Sequence, residues 1–166
     1  MPVLQLELPN LSATQRLGAL LAVGLAAGDI ISLSGPLGAG KSALARAIIS
    51  SANQNETDIP SPTFTLVQTY ELTDGTPLWH LDLYRIESPK DAMQLGLDDA
   101  FIEAVCLIEW PDRLKKFLPK TALSVNLRRT YDDDIDNGAD IRFADITAPP
   151  HWADRLQAII NKCSEG

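Results

Sequence analysis

The sequence predicts a three-layer α/β domain with a mixed central sheet and an inserted antiparallel hairpin. Three observations predict it. Residues 29–34 form an apolar strand that runs straight into Gly35-Pro36-Leu37-Gly38-Ala39-Gly40-Lys41-Ser42, and a helix-forming run over residues 43–49 leaves the other side. Two strand-like stretches flank Asp74-Gly75, a pair that favours tight hairpin turns. A continuous apolar run over residues 104–108 suits a strand buried on both faces. The first of these is the setting of a phosphate-binding loop, G-x-x-x-x-G-K-S between strand and helix. Glycines let the backbone bend until its N–H groups converge on phosphate oxygens, and the helix N-terminus adds partial positive charge. Gly38, Ala39, Gly40, Lys41, Ser42 and Ala43 are therefore the expected nucleotide-binding residues. Lys41 can reach the β- and γ-phosphates, and the Ser42 hydroxyl can bind Mg²⁺. The fold class is that of a P-loop NTPase.

The remaining elements follow in order. Residues 17–27 are apolar or glycine, with Arg16 in front and Ala26-Ala27-Gly28 behind, which imitates a signal-peptide core. The run begins well inside the chain and leads into the first strand of the loop, so a buried packing helix is expected. It is too short to span a membrane. Residues 50–60 read as a polar loop, residues 63–70 as a strand, and residues 78–84 as its antiparallel partner. Ser88-Pro89-Lys90-Asp91 combines an N-cap, a first-turn proline and an acid, and that helix should end near Gly96. The strand over 104–108 ends in Glu109-Trp110, and Pro111 stops further pairing. Residues 123–127 and 141–146 read as late strands with Asn137-Gly138 in the turn region, and residues 151–161 as a closing amphipathic helix.

Composition fits one small cytosolic domain. The chain has 166 residues, 45% of them hydrophobic, enough for a core of its own. Its net charge of −8 disfavours unaided binding to a phosphate backbone. Two cysteines, Cys106 and Cys163, make no disulfide framework, and Cys106 within its apolar run should be a buried free thiol. The acidic stretch from Asp132 begins like a calcium loop. Its sixth position is Asn137 where glycine is required and its twelfth is Phe143 where glutamate is required, so a solvated hairpin tip is the better reading.

A phosphate loop needs a second acidic group for its metal. Two positions compete. Glu109 ends an apolar strand, the usual setting for this carboxylate, and Asp82 lies between apolar neighbours in His80-Leu81-Asp82-Leu83-Tyr84. Asp82 is also a candidate for positioning the attacking water. His80 is available as a base, although a lone strand histidine is more often structural.

Four ordered blocks carry a resemblance: the phosphate loop, Ser61-Pro62-Thr63-Phe64-Thr65-Leu66-Val67, His80-Leu81-Asp82-Leu83-Tyr84-Arg85, and Leu107-Ile108-Glu109-Trp110-Pro111. Over roughly residues 11 to 120 the chain resembles the TsaE family, the bacterial ATPases of tRNA threonylcarbamoyladenosine synthesis. The loop is shared widely; the other three blocks in this order are far more specific. The resemblance implies ATP and Mg²⁺ binding, slow hydrolysis, and association with TsaB and TsaD, of which TsaD performs the threonylcarbamoyl transfer to adenosine 37 of tRNA. It implies tRNA contact only through that complex, and no membrane. It further implies catalytic roles for Lys41, Asp82 and Glu109, with Ser42 and Glu109 on the metal. Thr14 is a candidate adenine neighbour by family position, Thr65 a candidate hydroxyl near the phosphates, and Trp110 either a packing or a contact residue. Ser42 stands where the family often has threonine, and Asp91-Ala92-Met93 keeps one acid where the family tends to have two. Beyond Lys120 no family motif is matched.

Three other functions use the same loop. A small-molecule kinase usually needs an arginine-bearing lid, and Arg128-Arg129 alone make a poor one. A nucleotide-sensing module without meaningful turnover differs from a slow ATPase only in its kinetics. A GTPase is disfavoured because Asn161-Lys162-Cys163-Ser164 lacks the aspartate that pairs with guanine.

Overall fold

The computed structural model describes residues 3–54, 59–60, 65–131 and 140–164. The strands are β1 (Val3–Leu8), β2 (Ile30–Ser34), β3 (Val67–Glu71), β4 (Pro77–Asp82), β5 (Val105–Glu109), β6 (Leu123–Tyr131) and β7 (Asp140–Thr147). They form one sheet in the order β1-β7-β6-β2-β5-β4-β3. The four inner strands β6, β2, β5 and β4 run parallel; β7 and β1 on one side, and β3 on the other, are antiparallel to their neighbours. This is the mixed sheet expected, and the hairpin β3–β4 forms one edge of it.

Both faces of the sheet are covered, because the central strands β2 and β5 carry buried apolar side chains on both. Ile31 and Leu33 of β2 and Val105 and Leu107 of β5 point into one core with α1 (Leu11–Ala22), α2 (Lys41–Ala52) and α5 (Ala153–Ser164). Ile30, Cys106 and Ile108 point the other way, toward α3 (Pro89–Met93), α4 (Leu97–Glu103) and a 3₁₀ segment, Pro111–Phe117. Side chains alternate along a strand, so two buried faces require a continuous apolar run. The thiol of Cys106 is free and fully buried, and burial pushes its pKa up to about 12.

Two corrections concern element bounds. The packing helix runs from Leu11 to Ala22, earlier than residues 17–27 suggested, with Asn10 Oδ1 accepting the Ala13 N–H as its cap. Its glycine serves contact between helices: a Cβ on Gly18 would collide with that of Ala47 on α2. The helix after Ser88 stops at Met93, and Gly96, at φ +93°, opens a further helix, α4, that sequence reading did not anticipate. A glycine in left-handed conformation ends one turn and starts the next at little steric cost.

Three further differences are of extent. β1 was not foreseen. β3 begins at Val67, after a turn through Leu66 at φ +66°, and Thr63 and Phe64 lie outside the described residues. β6 and β7 are longer than expected, and the Asp-rich tip with Asn137-Gly138 also lies outside the described residues. The Asp74-Gly75 turn is present, with the Leu72 N–H donating to the Thr76 carbonyl.

Candidate functional site

Three parallel strands end on the same edge of the sheet, and each delivers one part of the site. β2 ends at Ser34 and passes into the phosphate loop. β5 ends at Glu109, which lies beside Leu33 of β2 on one side and beside Asp82, the last residue of β4, on the other. Ligands of open α/β sheets bind at these carboxyl ends. A cleft of about 370 Å³ opens there, walled by Gly38, Gly40, Lys41, Ser42, Ala43, Asp82, Glu109 and Trp110 among others.

The loop turns sharply. Gly35, Gly38 and Gly40 all have positive φ, and Gly40 is the residue from which α2 starts. Lys41 is 95% buried at the first position of the helix. Its Nζ donates to the Gly35 carbonyl at 2.6 Å and the Pro36 carbonyl at 2.9 Å, and lies 4.2 Å from the Trp110 ring centre. Burial lowers its pKa, and the nearby Glu109, Asp82 and Asp112 oppose that shift. Trp110 holds left-handed backbone at φ +59° immediately before Pro111. That conformation is costly for a bulky residue and is found where the surroundings over-determine it. Here the indole lies against Lys41 and 4.9 Å from the Tyr84 ring.

The acidic side of the cleft is ordered by a chain of three side chains. The Ser42 hydroxyl donates to Glu109 Oε1 at 2.9 Å, and Glu109 Oε2 lies 2.7 Å from His80 Nε2. His80 is completely buried, is not among the residues walling the cleft, and meets Glu109. Asp82 is buried too, and its Oδ1 accepts the Tyr84 N–H at 3.0 Å.

The structure therefore brings Lys41, Ser42, Asp82, Glu109 and Trp110 together with Gly38, Gly40 and Ala43. Ala39 packs beneath the loop in the core. Thr14 is buried on α1 and Thr65 is exposed in a turn, where its hydroxyl accepts from Gln68; neither is among the residues walling the cleft. Sequence reasoning missed Arg46, Tyr84, Arg85 and Arg142, which also line it. Arg46 stands one helical turn after Ser42, and Tyr84-Arg85 follow Asp82 directly, so these were open to inference. Arg142 arrives by sheet topology alone. Among the described residues no group of three His, Cys, Asp or Glu side chains could hold a metal unaided. No described helix is long and apolar enough to cross a membrane.

The family model "Threonylcarbamoyl adenosine biosynthesis protein TsaE" matches residues 8–136. A "tRNA threonylcarbamoyladenosine biosynthesis protein TsaE" of Rickettsia felis is 42% identical over 122 residues, covering 74% of this chain and 71% of that protein. The protein of the same name from Bacillus subtilis is 35% identical over 127 residues, covering 75% and 77%. The crystal structure of Bacillus subtilis YdiB superposes with a TM-score of 0.76 at 28% identity, covering 97% of this chain and 96% of that one.

Proposed function

The chain belongs to the TsaE family, and from that premise we propose that it is a Mg²⁺-dependent ATP-binding protein with slow ATPase activity. In this reading it supports a TsaB–TsaD assembly in forming threonylcarbamoyladenosine at position 37 of tRNA. The observation that carries the proposal is the meeting of Lys41, Ser42, Asp82 and Glu109 at the carboxyl ends of three adjacent parallel strands.

Each residue has a role that its position supports. The loop N–H groups and Lys41 bind the phosphates of ATP; Lys41 gives up the Gly35 and Pro36 carbonyls for phosphate oxygens. Ser42 and Glu109 are hard oxygen donors already converging at 2.9 Å, which suits Mg²⁺ held by one hydroxyl, one carboxylate, water and phosphate. The ion, when bound, neutralises charge on the phosphates. His80 holds the far oxygen of Glu109, so the near one faces the cleft in a fixed orientation. Asp82 keeps one oxygen on the Tyr84 N–H and orients the attacking water with the other. Trp110 packs against the phosphate-binding lysine.

The partner assignment is what the resemblance to the TsaE family implies, and it fits a family that acts in tRNA threonylcarbamoyladenosine biosynthesis. A net charge of −8 favours docking on proteins and leaves tRNA to them. The test is ATP hydrolysis, measured with and without a purified TsaB–TsaD complex. The proposal expects low turnover alone and a rise on addition; turnover that stays at zero in both would favour a nucleotide-sensing module.

A further inference from the structure

Strand alternation sets up an unexpected pair of cations. The inward side chains of β6 are Leu123, Val125 and Leu127, and those of β7 are Ile146 and Ala144, all buried in the core beneath α1 and α2. Period-two alternation puts Arg129 and Arg142 next in these two columns, on the same face. The register sets them directly opposite each other, just beyond the Leu127–Ala144 pair. Two apolar columns thus end in two facing arginines. Like charges opposite each other across an antiparallel pair are destabilising. Arg128, next to Arg129 in sequence, faces the other way and is bound to Asp145.

The place where the columns change character is the phosphate loop. A Cβ built on Gly38 would stand 3.1 Å from Nη1 of Arg129, and one on Gly40 would stand 2.8 Å from Nη1 of Arg142. The two glycines thus leave room for the two guanidinium groups as well as for the turn. Arg142 also walls the cleft beside Lys41 and Ser42. Both arginines are half-buried, and each has a protein partner of its own.

We infer that the β6–β7 hairpin is part of the nucleotide site: Arg142, backed by Arg129, contacts the polyphosphate chain as a second cationic arm beside Lys41. The inference rests on the nucleotide reading above. A planar guanidinium suits this task, because it offers two parallel N–H groups to phosphate oxygens where an ammonium offers a point charge.

Calorimetric titration with magnesium ATP tests it on Arg142→Ala, Arg142→Lys, Arg129→Ala, Arg128→Ala and Lys41→Ala, with thermal melting as a check on folding. Arg142→Ala should weaken binding about tenfold or more, the usual scale for losing a hydrogen bond to a charged group. Arg142→Lys should fall between it and the native chain, Arg129→Ala should weaken binding less, and Arg128→Ala should bind as the native chain does. If Arg142→Ala does not fold, Arg142→Gln, which keeps the stem, is read in its place. A loss under about fivefold relative to Arg128→Ala overturns the inference, since it is smaller than one charge-assisted bond supplies. The two readings fail separately: native binding by Lys41→Ala overturns the nucleotide site itself, whereas loss in Lys41→Ala with native binding in Arg142→Ala overturns only the arginine arm.

Discussion

At the scale of single residues the proposed site depends on a few short contacts. Lys41 is buried, and among the described residues its ammonium meets two loop carbonyls and an indole face, so its charge is held where an anion would complete its shell. Lys41→Ala should therefore lower ATP affinity about ten- to a hundredfold, the scale of a hydrogen bond to a charged partner, while the fold survives. Calorimetry reads the first part and thermal melting the second; native affinity would refute the role. Glu109 touches Ser42 with one oxygen and His80 with the other. Glu109→Gln keeps the shape and removes the charge, so Mg²⁺-dependent hydrolysis should fall more than ATP binding does. Equal loss of both would make Glu109 a binding residue only. Much of this was legible beforehand: a G-x-x-x-x-G-K-S loop with a strand before it and a helix after it fixes the location of Lys41 and Ser42. The partner of Glu109 was less so. Nothing local to His80 says that its imidazole meets a carboxylate 29 positions away; that contact exists because β4 and β5 are neighbours in register.

At the scale of elements, local patterning predicted most strands and one class of error. The continuous apolar runs of β2 and β5 and the Asp74-Gly75 turn were readable, because burial on both faces and a tight turn each demand particular residues. β1 was readable too and was missed: Leu4, Leu6 and Leu8 alternate with outward-facing neighbours, the plain pattern of a half-buried strand. The split of one helix into α3 and α4 was not, because Gly96 serves equally as a stop and as a start. The packing of α1 on α2 gives a test at this scale. Alanine is a better helix former than glycine by about 1 kcal/mol. A Cβ at Gly18, however, collides with Ala47 and lies 3.0 Å from its carbonyl carbon. Overpacking costs about 1–3 kcal/mol and should prevail. Gly18→Ala is expected to lower the midpoint of thermal unfolding, and adding Ala47→Gly should restore part of it. A stabilised Gly18→Ala variant would show that the two helices are not held at this separation.

For the whole molecule, topology assembles what sequence order scatters. The phosphate loop lies in the first third of the chain, Asp82 near its middle and Glu109 further on; parallel strands bring their carboxyl ends to one edge. Arg129 and Arg142 come from the last third and reach the same loop through a hairpin whose sequence carries no phosphate-binding motif. That is why the late strands were legible as strands and their arginines were not legible as part of a site. The same assembly carries the central claim, that nucleotide turnover in this cleft serves tRNA threonylcarbamoyladenosine formation. The direct measurement is product yield in a reconstituted reaction containing TsaB, TsaD, tRNA and the activated threonylcarbamoyl donor, followed over many turnovers with the native chain, with Lys41→Ala, and with no added chain. The account predicts sustained multiple turnover with the native chain, and a yield near one round of product both with Lys41→Ala and without the chain. Equal multiple-turnover yield in all three reactions would contradict it.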